Sequence, residues 1–340
     1  MSLADLWFVL FVAIIAAYLI LDGFDLGVGM LHPFVAKEDA ERRIVLNSIG
    51  PVWDGNEVWL VVGGGVLFAA FPVVYAALFS GFYWALMLVL LSLILRAVAI
   101  EFRGKRERPG WRALWDSVFS VSSFALAMLL GVAFGNLISG VPLKKSGDIE
   151  IGNILDLLHP FALWIGVTTI AMLLLHGALY LNLKTEGDLQ ARVRGWIPRL
   201  VVAFALIGGV AAVWIAASEY GVTDTYRDDV WPIGFPIAGL VAFVVMVVMF
   251  RRGRDVAAFF SSSAMIAMLL ATASAGLYPN LLRSSIDPKF SMTVSNASAA
   301  SETLTVMLIV AVIGIPFVLL YTAGVQYLFR GKVKLTPSSY

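Results

Sequence analysis

The chain has 340 residues, of which 60% are hydrophobic and only 14% charged, and a mean hydropathy of +0.88. That balance excludes an ordinary water-soluble domain and marks an integral membrane protein. A formal net charge of +1 offers no basic footprint for nucleic acid, and the lack of cysteine excludes disulfides, thiolate-bound zinc and cysteine-ligated clusters.

At roughly 20 residues per hydrocarbon crossing, nine apolar runs can be counted. They are Leu3 to Leu21 with a polar-marked extension to Leu31, Glu57 to Phe79, Gly81 to Ile100, Leu114 to Ile138 and Phe161 to Leu183, then Ile197 to Ala217, Trp231 to Phe250, Val256 to Tyr278 and Leu304 to Phe329. Backbone groups cannot stay unpaired in lipid, and continuous runs of this length fit helices rather than barrel strands. The expected fold is all-α and polytopic. The opening "MSLADLWFVLFVAII" has no basic stretch and no small-residue cleavage site, so it is expected to stay as the first span.

Lys and Arg in short loops are retained on the cytoplasmic side. Eighteen of them fall after the first, third, fifth, seventh and ninth runs, from Lys37 to Lys334, against five on the opposite face: Lys144, Lys145, Arg227, Arg283 and Lys289. This alternation predicts an outer amino terminus, a cytoplasmic carboxyl terminus and an odd number of crossings.

A faint echo recurs at about 150 residues. Asp22-Gly23 late in one span, "EDAERR" and Pro51 are followed in the second half by His176-Gly177, "GDLQARVR" and Pro198. Two four-helix halves, 1–140 and 159–280, plus a ninth helix over 302–330, would explain it. So would the general similarity of loops between membrane helices. Gly23, Gly27 and Gly29 follow no strand and lie within a span, so they are no nucleotide loop.

The polar residues inside this framework carry the functional question. Asp22 and Asp25 lie about 28 to 33 Å along the first helix, near its cytoplasmic boundary, and their spacing of three sets both on one face. Arg96, the one basic residue inside a span, lies at the same depth late in the third run; it either pairs with an aspartate or snorkels to lipid phosphates. The stretch "GPVWDGNEVWLVVGGG" enters the second span from that side. Asp54 and Glu57 have capping-box spacing, Pro51 suits a helix start, and Trp53 and Trp59 fit an interfacial belt. Capping alone does not explain why Asp22, Asp25, Asp54, Asn56, Glu57 and Arg96 converge on one leaflet. A proton route through clustered carboxylates does. Asp116, in "LWDSVF", is a further candidate, with an N-cap as the competing reading.

A haem held between helices wants axial histidines at matched depth. His159 starts the fifth span on the far side, His32-Pro33 falls at or beyond the end of the first, and His176 is expected as a hydrogen-bonded packing residue. No haem or metal is therefore assigned to this chain.

The segments "DGFDLGVGML", "ERRIVLNSIGPVWDGNEVWL", "FAAFPVVYAALFSGFY" and "GVAFGNLISGVPL", with "RAVAIEFRGK", "SMTVSNAS" and "PFVLLYTAGVQY", together resemble subunit II of the cytochrome bd-type quinol oxidases. The likeness runs from the first span to the ninth and is closer in the first half. It implies a multi-pass subunit of a bacterial or archaeal cell membrane, paired with a similarly folded subunit I that carries haems b and d and the quinol site. The complex oxidises quinol, reduces dioxygen to water and takes the protons from the cytoplasm. The resemblance places a cytoplasmic proton route at Asp54 and a lipid-side oxygen entrance near Trp59, with Asp22 and Asp25 as a secondary pair. It also implies a structural quinone in some members and a small accessory peptide in some complexes. The alternative from another class is a proton-coupled secondary transporter, motivated by the repeat and the intramembrane acids.

Overall fold

The computed structural model describes residues 2–218, 220–228 and 230–335, without the side chain of Asp228. The first helix, α1 (Leu3–Val35), opens on a capping box in which Ser2 Oγ accepts from the Asp5 amide while the Asp5 carboxylate accepts from the Ser2 amide. A short polar helix, α2 (Asp39–Ile49), follows on the arginine-rich face. Then come α3 (Trp53–Ala70), α4 (Pro72–Gly81), α5 (Tyr83–Arg103) and α6 (Pro109–Ser139). The later helices are α7 (Pro160–Lys184), α8 (Gly187–Ala217), the short α9 (Asp224–Asp228), α10 (Gly234–Arg251), α11 (Asp255–Leu277) and α12 (Ser301–Leu328). On the face opposite the arginines, β1 (Asn280–Leu282) and β2 (Met292–Thr293) form a small antiparallel pair.

Among the described residues, eight helical segments are long and apolar enough to cross a membrane. The run expected as one span over Glu57 to Phe79 is two helices, α3 and α4, separated at Phe71 (φ −136°, ψ 63°). Proline explains the break: Pro72 has no N–H to donate back along the chain, and its ring drives the preceding residue out of helical geometry. The Ala70 carbonyl beside the break accepts instead from the Ala299 amide at 2.8 Å.

Two helices start well before the apolar runs that announced them. α6 begins at Pro109 and α8 at Gly187, because hydropathy registers only the lipid-depth portion of a helix. The polar lead-in of α8 is held by side chains: Arg192 donates to the Val35 carbonyl at 3.0 Å and pairs with Glu41, and Arg194 Nη1 donates to both Asp255 carboxylate oxygens at 2.8 and 2.9 Å. Pro198 therefore lies inside a helix rather than near its start.

Helix α1 is the hub and packs on α3, α6, α7 and α11. It crosses α7 with no side chains between the backbones. A Cβ built on Gly27 would lie 2.0 Å from the Leu173 carbonyl oxygen and 2.8 Å from Gly177 Cα. Small residues at such a crossing let two helices gain dispersion contact where lipid offers no hydrophobic driving force. Next to it, Phe24 stacks on Tyr180 at 3.9 Å, and the Tyr180 hydroxyl donates to the Ser48 carbonyl at 2.8 Å, tying α2 to the core.

Candidate functional site

The carboxylates of α1 meet α3 and α5 at one buried point. Spacing of three sets Asp22 and Asp25 on the same face, and both are fully buried, as is Arg96. Arg96 Nη1 lies 2.7 Å from Asp22 Oδ1 and 3.1 Å from Glu57 Oε1, and Nη2 lies 3.9 Å from Asp25 Oδ2. Asn56 Nδ2 donates to Asp25 Oδ2 at 2.8 Å and to the Leu21 carbonyl at 3.2 Å. Three carboxylates thus surround one guanidinium. Arg96 is buried against these acids instead of extending to the surface of the chain.

Asp54 lies one turn before Glu57 in the first turn of α3 and is exposed. The capping-box reading of Asp54 and Glu57 fails, because α3 starts at Trp53 with Val52 at its cap position and no side-chain capping bond. Glu57 turns to Arg96 instead. A charged partner at low dielectric outweighs a backbone cap that water can replace. Trp59 is buried against Ile14 and Tyr18 of α1, and Trp53 packs into the neighbouring core, so within this chain neither ring lies in an exposed interfacial belt.

Sequence reasoning passed over Tyr18. It is buried one turn before Asp22, at the i, i+4 spacing that could have flagged it, and lies in the same group as Trp59. A second charged group was only half seen. Asp116 is inside α6, not at its N-cap, and gathers Arg103 Nε at 2.5 Å and Arg42 Nη1 at 3.0 Å, with His32 Nε2 at 3.5 Å. Arg103, itself buried, also reaches Asp39 at 2.8 Å, and Arg112 holds the other Asp39 oxygen at 2.8 Å. Burial alone would raise the Asp39 carboxyl, but the Arg103 bond and the charges of Arg112 and Arg43 hold it below the ordinary carboxylate range. The network pins α2 under the ends of α1, α5 and α6.

The histidines fit packing roles. His176 Nδ1 bonds Ser262 Oγ at 2.7 Å and Nε2 bonds the Ile20 carbonyl at 3.0 Å, so an axial bond to haem iron would require breaking one of them. His32 lies in the last turn of α1, short of the helix end expected for it, and His159 caps α7 on the opposite face. The residues present do not fit a haem held between His32 and His176.

Residues 3–329 match the family model described as cytochrome bd terminal oxidase subunit II. The chain belongs to the cytochrome bd terminal oxidase subunit II family. It is 36% identical over 357 residues to the cytochrome bd-I ubiquinol oxidase subunit 2 of Escherichia coli K12, covering 96% of this chain and 94% of that one. It is 35% identical over 338 residues to the cytochrome bd ubiquinol oxidase subunit 2 of Bacillus subtilis 168, covering 98% and 97%. Its fold is similar to a chain of the bd oxidase from Geobacillus thermodenitrificans, with a TM-score of 0.79 at 15% identity over 97% of this chain and 99% of that one. A subunit II works beside a subunit I, so this chain is one part of a respiratory terminal oxidase of the bd family.

Proposed function

We propose that this chain is the haem-free subunit II of a quinol:oxygen oxidoreductase, with haems b and d and the quinol site in subunit I, and that it feeds cytoplasmic protons toward the partner. The observation that carries the reading is the buried group of Asp22, Asp25 and Glu57 around Arg96, with Asp54 exposed one turn away. One guanidinium among three carboxylates leaves room for a proton to be held and passed within the group, and Asn56 orients Asp25. Asp54 collects the proton from the cytoplasmic face, and Trp59 lies on the oxygen route.

In this reading the amino terminus is outside and the carboxyl terminus cytoplasmic, following the arginine-rich face. The α3–α4 pair acts as one broken crossing, which brings the count to nine. The two four-helix halves meet where their first helices cross at Gly27 and Gly177.

The test is Asp54→Asn in the assembled oxidase. Oxygen consumption should fall while the reduced haem spectrum stays unchanged; normal turnover removes Asp54 from the route. The transporter alternative predicts pH-gradient-driven solute uptake by this chain alone in vesicles, and a Soret band with stoichiometric haem on the isolated chain would overturn the haem-free assignment.

A further inference from the structure

Two cavities open on the face opposite the arginine-rich one, each between a turn joining two helices and a loop from later in the chain. The first, about 600 Å³, is lined by aromatic and aliphatic groups, among them Phe82, Tyr83, Trp84 and Ile149. The second, about 410 Å³, lies at the turn after α8 and is lined instead by polar and charged groups: Ser218, Thr223, Asp224, Arg227 and Arg283, beside Gly221. The contrast in chemistry at similar positions calls for a cause.

Arg283 is built into that second site. Its backbone is fixed next to the β1 strand, where its carbonyl accepts from the Val141 amide at 2.9 Å. Its guanidinium lies across Gly221, where a Cβ would come within 2.7 Å of both Cζ and Nη1, and Gly221 has a φ of +65°. A side chain at this position would displace the guanidinium, and the left-handed backbone favours glycine. Nη1 is sealed from solvent and has no hydrogen-bond partner among the described residues. A guanidinium nitrogen left unpaired is costly, and a small rotation of the side chain toward the cavity would let an arriving acceptor satisfy it.

Arg227 lies on the same cavity, paired only loosely with Asp224 at 3.8 Å, and both side chains are largely exposed. The described lining thus carries two guanidinium groups against one carboxylate. Nearby, Val230 and Trp231 are 82% and 63% exposed, and an exposed indole is the kind of amphipathic ring that sits at headgroup depth.

We infer that the cavity between α8, α9 and the Arg283 loop binds a phosphate-bearing anion, held by the Arg283 fork and the Arg227 charge. Planar guanidinium groups match phosphate oxygens in pairs, which a lysine at this position would not do. The phosphate can come from a phospholipid headgroup, with its acyl chains lying past Trp231, or from the free anion.

The test is native mass spectrometry on the delipidated, detergent-solubilised oxidase complex containing this chain, titrated separately with phosphatidylglycerol, inorganic phosphate and diacylglycerol. One phosphatidylglycerol should bind with an affinity reduced by about tenfold in Arg283→Gln and by about threefold in Arg227→Gln, while diacylglycerol is indifferent to both changes. Displacement by inorganic phosphate identifies the free anion as ligand; its failure to compete identifies the headgroup. Arg227 is exposed, so Arg227→Gln decides the matter if the Arg283→Gln variant does not assemble. Unchanged binding in the variants that assemble, or no binding of either phosphate probe to the parent complex, overturns the assignment.

Discussion

Arg96 Nη1 of α5 and Asp22 Oδ1 of α1 lie 2.7 Å apart with both side chains fully buried, and that contact joins two helices far apart in sequence at lipid depth. Removing the cation while leaving the acids strands Asp22, Asp25 and Glu57 without a counter-charge. Arg96→Gln is expected to cost about 3–5 kcal/mol, seen as a sharply reduced yield and a lower temperature of irreversible inactivation. Arg96→Lys keeps the charge but cannot reach two carboxylates in one plane, so it should fall between the two. A glutamine variant that accumulates with unchanged thermal behaviour would contradict the role given to this pair.

The Gly27–Gly177 crossing predicts a graded response to alanine. Gly27→Ala forces a methyl into the Leu173 carbonyl and the Gly177 backbone, neither of which can move aside. A loss of about 1–3 kcal/mol or more is expected. Gly63→Ala meets only the tip of the Ile15 side chain, which can rotate, and Gly64→Ala meets open space. Thermal unfolding in detergent, followed by tryptophan fluorescence, should rank the three with Gly27→Ala lowest and Gly64→Ala equal to the parent.

Asp116 and Asp39 both grip Arg103, but from different environments. Asp116 is 6% exposed and its carboxylate also holds Arg42, whereas the Asp39 side chain is 44% exposed. Asp116→Ala leaves a buried guanidinium short of its main partner and should cost about 3 kcal/mol. Asp39→Ala should cost under about 1 kcal/mol, as water replaces the lost oxygen. Equal losses on denaturation would show that Arg103 draws equally on the two.

The attachment of α2 should weaken in acid. Burial alone would raise the carboxyls of Asp39 and Glu41, but arginine contacts at Asp39, and the Lys37 and Glu38 amides with Arg192 at Glu41, hold both below their ordinary values. A carboxylate depressed in the folded chain stabilises it fully above the unfolded value and loses that contribution as pH falls through the folded value. Amide exchange over 38–49, corrected for intrinsic rates, should stay protected at neutral pH and accelerate below about pH 4. Flat protection across that range would mean that Tyr180 and the core, rather than these acids, hold α2.

The same residues show how far the sequence could be read. Asp22 and Asp25 announced themselves as acids in an apolar run, and Arg96 as the cation at their depth. Each was legible because a charge within lipid demands compensation. The second charged group was not, since Arg42, Arg103 and Asp39 look like ordinary loop charges until the fold brings Asp116 among them.

By itself, the sequence determined the helical membrane class, the crowding of arginine on one face and the acids that need a partner, because burial of apolar length and desolvation of charge are local costs written in composition and spacing. Only the tertiary structure decided that Glu57 turns to Arg96 instead of capping α3, that Pro72 splits a run of continuous hydropathy in two, and that the Arg283 fork lies over Gly221. Those outcomes depend on which helices meet and at what rotation, and side-chain distances between remote segments leave no trace in a linear pattern.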